Sequence, residues 1–349
     1  MGSSKAIRLI LAACLCFATF GCGSGGGGEK WVVIELHPTS TNESIAYGVA
    51  SGQQVGAYWV DTKSGHSRAA IWHGSSASWI SLHPAGALES QASGVGDGQQ
   101  VGFIVLLGEG ARAGYWSGTA DSWVSLHPAG AAHSYAMAVN AGQQVGWAEL
   151  GDGDRACLWR GTAASWISLH PVGASASRAT GIAKGLQVGF ATFNNKTRAS
   201  LWRGTAASWV DLHPPGALSS ISWDVGDGQQ VGQVWPAVNE GARASLWRGT
   251  ASSWVVLHPN NATASGATAV AKGQQVGYAA FGGGSTRASL WRGTAQSWVD
   301  LHAYLPNSYT ESAASDIWCD TVHTYVVGWG QTSGRGYRAI MWIGPPSRR

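Results

Sequence analysis

The sequence predicts an all-β fold, a seven-bladed β-propeller with four antiparallel strands per blade and a ring closed by an N-terminal outer strand in the last blade. Three observations lead there. A unit of about 44 residues recurs seven times with the same landmarks in the same order. The composition, with 50 Gly and 20 Trp in 349 residues and only 12% charged, disfavours helices and suits short strands joined by tight turns. Finally, the two ends of the repeat array carry complementary fragments of one unit, as a closed ring requires.

Taken in order, residues 1–22 read as a signal peptide. Lys5 and Arg8 precede an apolar run from Leu9 to Gly21 that is too short to span a bilayer and suits a secretory segment. The run ends at Cys22, and residues 23–30 form a Gly/Ser-rich tether. A cysteine after a small residue and before such a tether is the pattern of a bacterial lipoprotein, so Cys22 is the expected lipidation site, with simple secretion as the alternative. This predicts an extracytoplasmic protein of the bacterial cell envelope, held to the membrane through Cys22. The propeller is expected over residues 31–349. Lipid attachment would leave Cys157 and Cys319 in the body, in distant repeats, which gives no disulfide framework.

Each unit carries three landmarks. A Val-Gly step recurs at Gly56, Gly102, Gly146, Gly189, Gly232, Gly277 and Gly328. An Arg-Ala-x-x-Trp step begins at Arg68, Arg112, Arg155, Arg198, Arg243, Arg287 and Arg338. A Trp-x-x-x-Leu-His step ends at His83, His127, His170, His213, His258 and His302. In the fourth unit these give strand a over 177–182, strand b over 187–193, strand c over 198–203 and strand d over 208–213. The last unit runs from Trp342 into Pro345-Pro346 without a strand d, and Trp31–His37 supplies that piece from the other end of the chain.

The order Ser-x-Ala-x-Gly-Val, Gly-Gln-Gln-Val-Gly and x-Ala-x-Leu-Trp resembles the bacterial extracellular HAF-repeat family over residues 31–343. The triplet that names that family stands here as Arg-Ala-Ser, Arg-Ala-Cys or Arg-Ala-Ile. The resemblance implies an exported protein with a propeller-like body and brings no activity with it.

Most residues that suggest chemistry belong to the repeat. Histidines at the end of an outer strand lie roughly 14 Å farther from the axis than strand a, at about 4.8 Å per strand. They cannot converge on one ion, so no metal site is expected. The repeat arginines are expected to bond a neighbouring blade or stack on a repeat tryptophan. Turn acids such as Asp97, Asp227 and Asp154 lack the spacing of a calcium loop. No cofactor motif is present. A net charge of +3 without a basic run argues against nucleic acid.

The informative positions are those where the seven copies disagree. The fifth position of strand a is Gly or Ala in five units, but Asp224 in the fifth and Asp316 in the seventh. Strand a lines the channel, so these two carboxylates are the candidate catalytic pair. Trp223 and Tyr47 occupy the preceding, variable position. The b–c loops and d–a connections also differ from blade to blade and are expected to share one face, where Trp59 and Trp235 could grip a ligand. The sequence thus predicts a monomeric, surface-tethered, non-enzymatic scaffold that binds carbohydrate or protein through its variable face, with Trp59, Trp223, Trp235 and Tyr47 as ligand-binding candidates. A glycoside hydrolase or lyase using Asp224 and Asp316 is the alternative, and a structural envelope protein without a discrete ligand is a third reading.

Overall fold

A computed structural model describes residues 30–61, 65–151, 153–334 and 336–346. The expected signal segment, with Cys22, and nearly all of the tether lie outside the described residues.

Seven four-stranded antiparallel sheets are arranged as blades, each ordered from strand a on the inside to strand d on the outside. The fourth blade comprises Ala176–Ala183, Leu186–Phe193, Lys196–Trp202 and Val210–Asp211. The inner strands of adjacent blades contact one another around the central channel. Closure follows the expected latch. Val32–Glu35 pairs antiparallel with Gly336–Gly344 of the seventh blade, with Val32 opposite Ile343 and Val33 opposite Trp342.

Strand d is shorter than its period of two suggests. In the fourth blade only Val210–Asp211 forms a strand, because Ala206–Ser208 makes a 3-10 turn first. The Ser208 hydroxyl donates to the Thr205 carbonyl (2.6 Å) and accepts from the Arg203 amide (2.8 Å), so this side chain closes the turn. The seventh blade is longer at its entry, where a 3-10 turn over His302–Tyr304 precedes an inner strand of 11 residues, Tyr309–Cys319.

The core is divided into seven clusters, one at each blade boundary. Trp72, Trp116, Trp159, Trp202, Trp247, Trp291 and Trp342, one from strand c of each blade, are fully buried. Each brings a large apolar area to the wall between two blades, which is why the repeat carries a tryptophan there.

The repeat histidines hold blades together. His37, His83, His127, His170, His213, His258 and His302 each place Nδ1 2.7–2.8 Å from a serine hydroxyl at the start of the next blade's strand a: Ser44, Ser90, Ser134, Ser177, Ser220, Ser265 and Ser312. Each serine also accepts the amide N–H of the Arg-Ala alanine in the preceding blade, as Ala156 donates to Ser177 (2.9 Å) and Ala339 to Ser44 (3.0 Å). In several blades the ring also bonds an alanine carbonyl, with Nε2 2.9–3.1 Å from that of Ala131, Ala174, Ala217 or Ala262. The neutral ring with its proton on Nε2 fits this network: Nε2 donates to the carbonyl and Nδ1 accepts from serine.

The arginines depart from expectation. Arg198 and Arg287 pair with Asp211 and Asp300 of their own blades (2.8 and 2.7 Å), not with a neighbouring blade. Arg112 and Arg243 pair with Glu109 and Glu240, three residues earlier in chain. Where Arg198 and Arg287 meet a ring, it is Phe193 or Phe281 rather than a repeat tryptophan. The turn acids act as blade-to-blade caps: Asp97 accepts the Gly142 amide (3.2 Å) and Asp227 the Lys272 amide (2.8 Å).

Candidate functional site: the mouth of the channel

Every strand a carries a β-bulge at the same place. In the third blade Ala136 opposes Gly146 and Ala138 opposes Val145, which leaves Met137 as the extra residue. The Val-Gly step of the sequence is the other half of this feature. A side chain at Gly146 would strike the carbonyl oxygen of Tyr135, so only glycine lets the bulged strand approach. The extra residues in the seven blades are Tyr47, Ser93, Met137, Thr180, Trp223, Thr268 and Ser315, and all seven line one cavity of about 660 Å³ at the channel. A position that varies widely along the sequence is therefore one that the backbone aims into the channel.

Asp224 and Asp316 follow two of these bulge residues and also line the cavity. Each caps the exposed edge of the next blade. Asp224 Oδ2 accepts the amide of Val270 (2.9 Å), and Asp316 Oδ2 accepts that of Val49 (2.8 Å). Their second bonds are local, from the amides of Val225 and Ile317 respectively. Thr180 and Thr268 complete the same series from the other side. They donate to the carbonyls of Ser222 (2.9 Å) and Ala314 (3.0 Å) in the next blade. From the fourth blade round to the first, side chains thus satisfy the inner edge strands. Elsewhere backbones pack closely, and a Cβ at Gly48 would lie 3.1 Å from the Cα of Gly94.

The electrostatics of the pair have one direction. Burial raises Asp224 to about 6, against the pull of its two backbone amides. Burial and repulsion from Asp224 raise Asp316 to about 7, again opposed by its two amides. Tyr47 is pushed up to about 12, by burial and then by Glu89. Among the described residues, no Lys, Arg or His lines the cavity.

Of the candidates read from sequence, the structure brings Asp224, Asp316, Trp223 and Tyr47 to one cavity. It does not bring Trp59 and Trp235 there. They end the second strands of the first and fifth blades, half-buried, with their carbonyls accepting the amides of Asn42 (2.8 Å) and Leu218 (2.9 Å). The register places strand b ends against strand a starts, Trp59 opposite Glu43 and Trp235 opposite Ser219, so the b–c loops and d–a connections do share a face. Sequence reasoning missed Gln91, Tyr278 and Trp329 as lining residues. Tyr278 and Trp329 occupy the position directly after the Val-Gly step. The available signal was its variation, from Ala57 and Gln233 to Phe103, Tyr278 and Trp329. Among the described residues, no group of three or more His, Cys, Asp or Glu is placed to hold a metal ion.

The fold and its channel cavity define a closed seven-bladed propeller, and the chain superimposes on several solved structures. The chain superimposes on puromycin hydrolase with a TM-score of 0.61 at 12% identity, over 88% of this chain and 54% of that one. For Pyrococcus horikoshii acylaminoacyl peptidase the values are 0.55 and 11%, over 88% and 52%. For YCF48 bound to D1 peptide they are 0.52 and 11%, over 91% and 95%. The chain spans about half the length of the two hydrolases and nearly all of YCF48. At such identities the likeness is one of fold. No family model matches the sequence, and no curated protein does.

Proposed function

We propose that this chain is an exported, envelope-tethered propeller that binds a carbohydrate or protein ligand, without chemistry, at the b–c side of its channel. The observation that carries the reading is the ring of seven bulge residues, of five different types, around one cavity of about 660 Å³. That volume falls in the range of ligand sites, roughly 300–1,000 Å³, and the lining joins aromatic rings to a few placed polar groups. Tyr47, Trp223, Tyr278 and Trp329 offer faces for a sugar ring or a peptide side chain. A propeller of similar span, YCF48, has been solved with a peptide bound. Export rests on the Lys5–Gly21 segment, and tethering rests on Cys22 and the Gly/Ser run after it.

The carboxylates favour binding over hydrolysis. An acid–base pair needs neighbouring environments that push the two groups apart, one protonated and one ionised. Here burial raises both, and both are held in the wall by two backbone amides each. The test is a binding screen on glycan and peptide arrays, followed by titration of the wild type, Tyr47→Ala and Trp223→Ala. Loss of binding in both variants is the expected result. Retention of full affinity in both, or no ligand at all, overturns the reading. Labelling with palmitate, abolished by Cys22→Ala, tests the anchor.

A further inference from the structure

Deepening the binding reading, and resting on it, we propose that the channel cavity selects an organic ammonium group, a protonated amine carried on a peptide- or amino-sugar-sized body. Among the described residues, the cavity lining includes two carboxylates, Asp224 and Asp316, and no cationic side chain. Each carboxylate accepts two backbone N–H groups, whereas its two oxygens have room for about four. The amides fix the carboxylates in the wall but leave their charge unbalanced, and the two repel each other. A ligand cation removes that repulsion and fills the remaining acceptor sites.

The rest of the lining fits an ammonium on an organic body better than a bare metal ion. A calcium ion needs six to eight oxygen ligands, and the described residues offer no cluster of three acidic or histidine side chains. The cavity supplies aromatic rings instead, from Tyr47, Trp223, Tyr278 and Trp329, whose faces attract organic cations. Gln91, Ser93 and Ser315 provide neutral hydrogen-bonding groups for the body that carries the amine. The titratable groups around the carboxylates are Tyr47 and Tyr278 in the lining, with Glu89 acting on Tyr47. Both tyrosines are shifted upward, so they stay neutral through the physiological range.

The experiment titrates full-length protein with two pairs of probes. One pair is a capped tripeptide with a central lysine and its Nζ-acetylated form. The other is a glucosamine disaccharide and its N-acetylated form. The amine member of at least one pair is expected to bind about tenfold or more tightly than its acetylated partner, and Asp316→Asn to remove that preference. Which pair responds distinguishes peptide from amino sugar. For the lysine probe, which keeps its charge, affinity should rise from pH 5.5 to 8 as the carboxyls ionise. Equal or tighter binding of both acetylated probes overturns the inference while leaving the cavity as a binding site. Binding of any probe that ignores Trp223→Ala and Tyr47→Ala overturns the site itself. Should Asp316→Asn fail to fold, Asp224→Asn and the wild-type pH profile decide, and a flat profile with an unchanged preference sinks the proposal.

Discussion

The Nδ1 atom of His37 lies 2.8 Å from the hydroxyl of Ser44, and that serine accepts the Ala339 amide at 3.0 Å. This contact joins the outer strand and strand c of the seventh blade to strand a of the first, at the seam where the two ends of the chain meet. Ser44→Ala leaves a buried imidazole nitrogen and a buried amide without partners. The expected cost is about 2–4 kcal/mol, read as a lower midpoint in urea unfolding. A loss below 0.5 kcal/mol would show that the contact contributes nothing at the seam.

Burial lowers six of these histidines, His37 to about 4 and His83, His127, His213, His258 and His302 in the same direction. The unfolded chain therefore takes up protons first as pH falls. Their contribution is fully present above the ordinary histidine value, about 6.5, and is lost as pH drops through the folded values. The melting temperature is expected to fall steeply between pH 6.5 and about 4. A flat profile across that window contradicts the neutral-histidine network.

Asp224 and Asp316 act in the opposite sense. Their folded values, about 6 and about 7, lie above that of a free carboxyl, so the folded state holds protons that the unfolded chain releases. Their effect on stability worsens as pH rises through 4 to 7. Asp316→Asn removes the titrating charge and keeps one acceptor oxygen for the Val49 amide. Relative to wild type, the variant should gain stability at pH 8 compared with pH 5. Equal differences at the two pH values would contradict the raised carboxyl.

The strand c tryptophans separate into two kinds. Trp159 is fully buried with its Nε1 unpartnered, whereas Trp342 Nε1 donates to the Leu301 carbonyl at 3.0 Å. Both should lose packing on replacement by phenylalanine, but only Trp342→Phe breaks a hydrogen bond. Trp342→Phe is expected to cost about 1 kcal/mol more than Trp159→Phe in chemical unfolding. The reverse order would mean that packing differences between the blades outweigh the bond.

Much of the architecture was readable because each blade repeats it. Gly146 and its six counterparts mark the period, the Arg-Ala-x-x-Trp steps count the blades, and Trp31–His37 supplies the missing outer strand. The bulge opposite the glycine was not readable, since a one-residue slip in pairing leaves the sequence unchanged while turning Met137 or Trp223 into the channel. Strand d was overestimated because Ser208 closes a turn through its hydroxyl, which the alternation of Val210 and Leu212 does not reveal. The site was half legible. Asp224, Asp316, Trp223 and Tyr47 stood out as disagreements among copies. Trp59 and Trp235, expected on the loop face, end strand b on that side and do not line the channel cavity.

The pairing of Val32 with Ile343 also orders events in time. The first strand made is the one whose partner is made last, so its apolar edge must wait while all seven inner hairpins are synthesised. Contacts so distant in sequence form slowly, and unpaired strands are exposed to aggregation in the interval. A growing chain would therefore collect its blades one after another, and the ring gains its full cooperativity only when Gly336–Gly344 is there to receive Val32–Glu35.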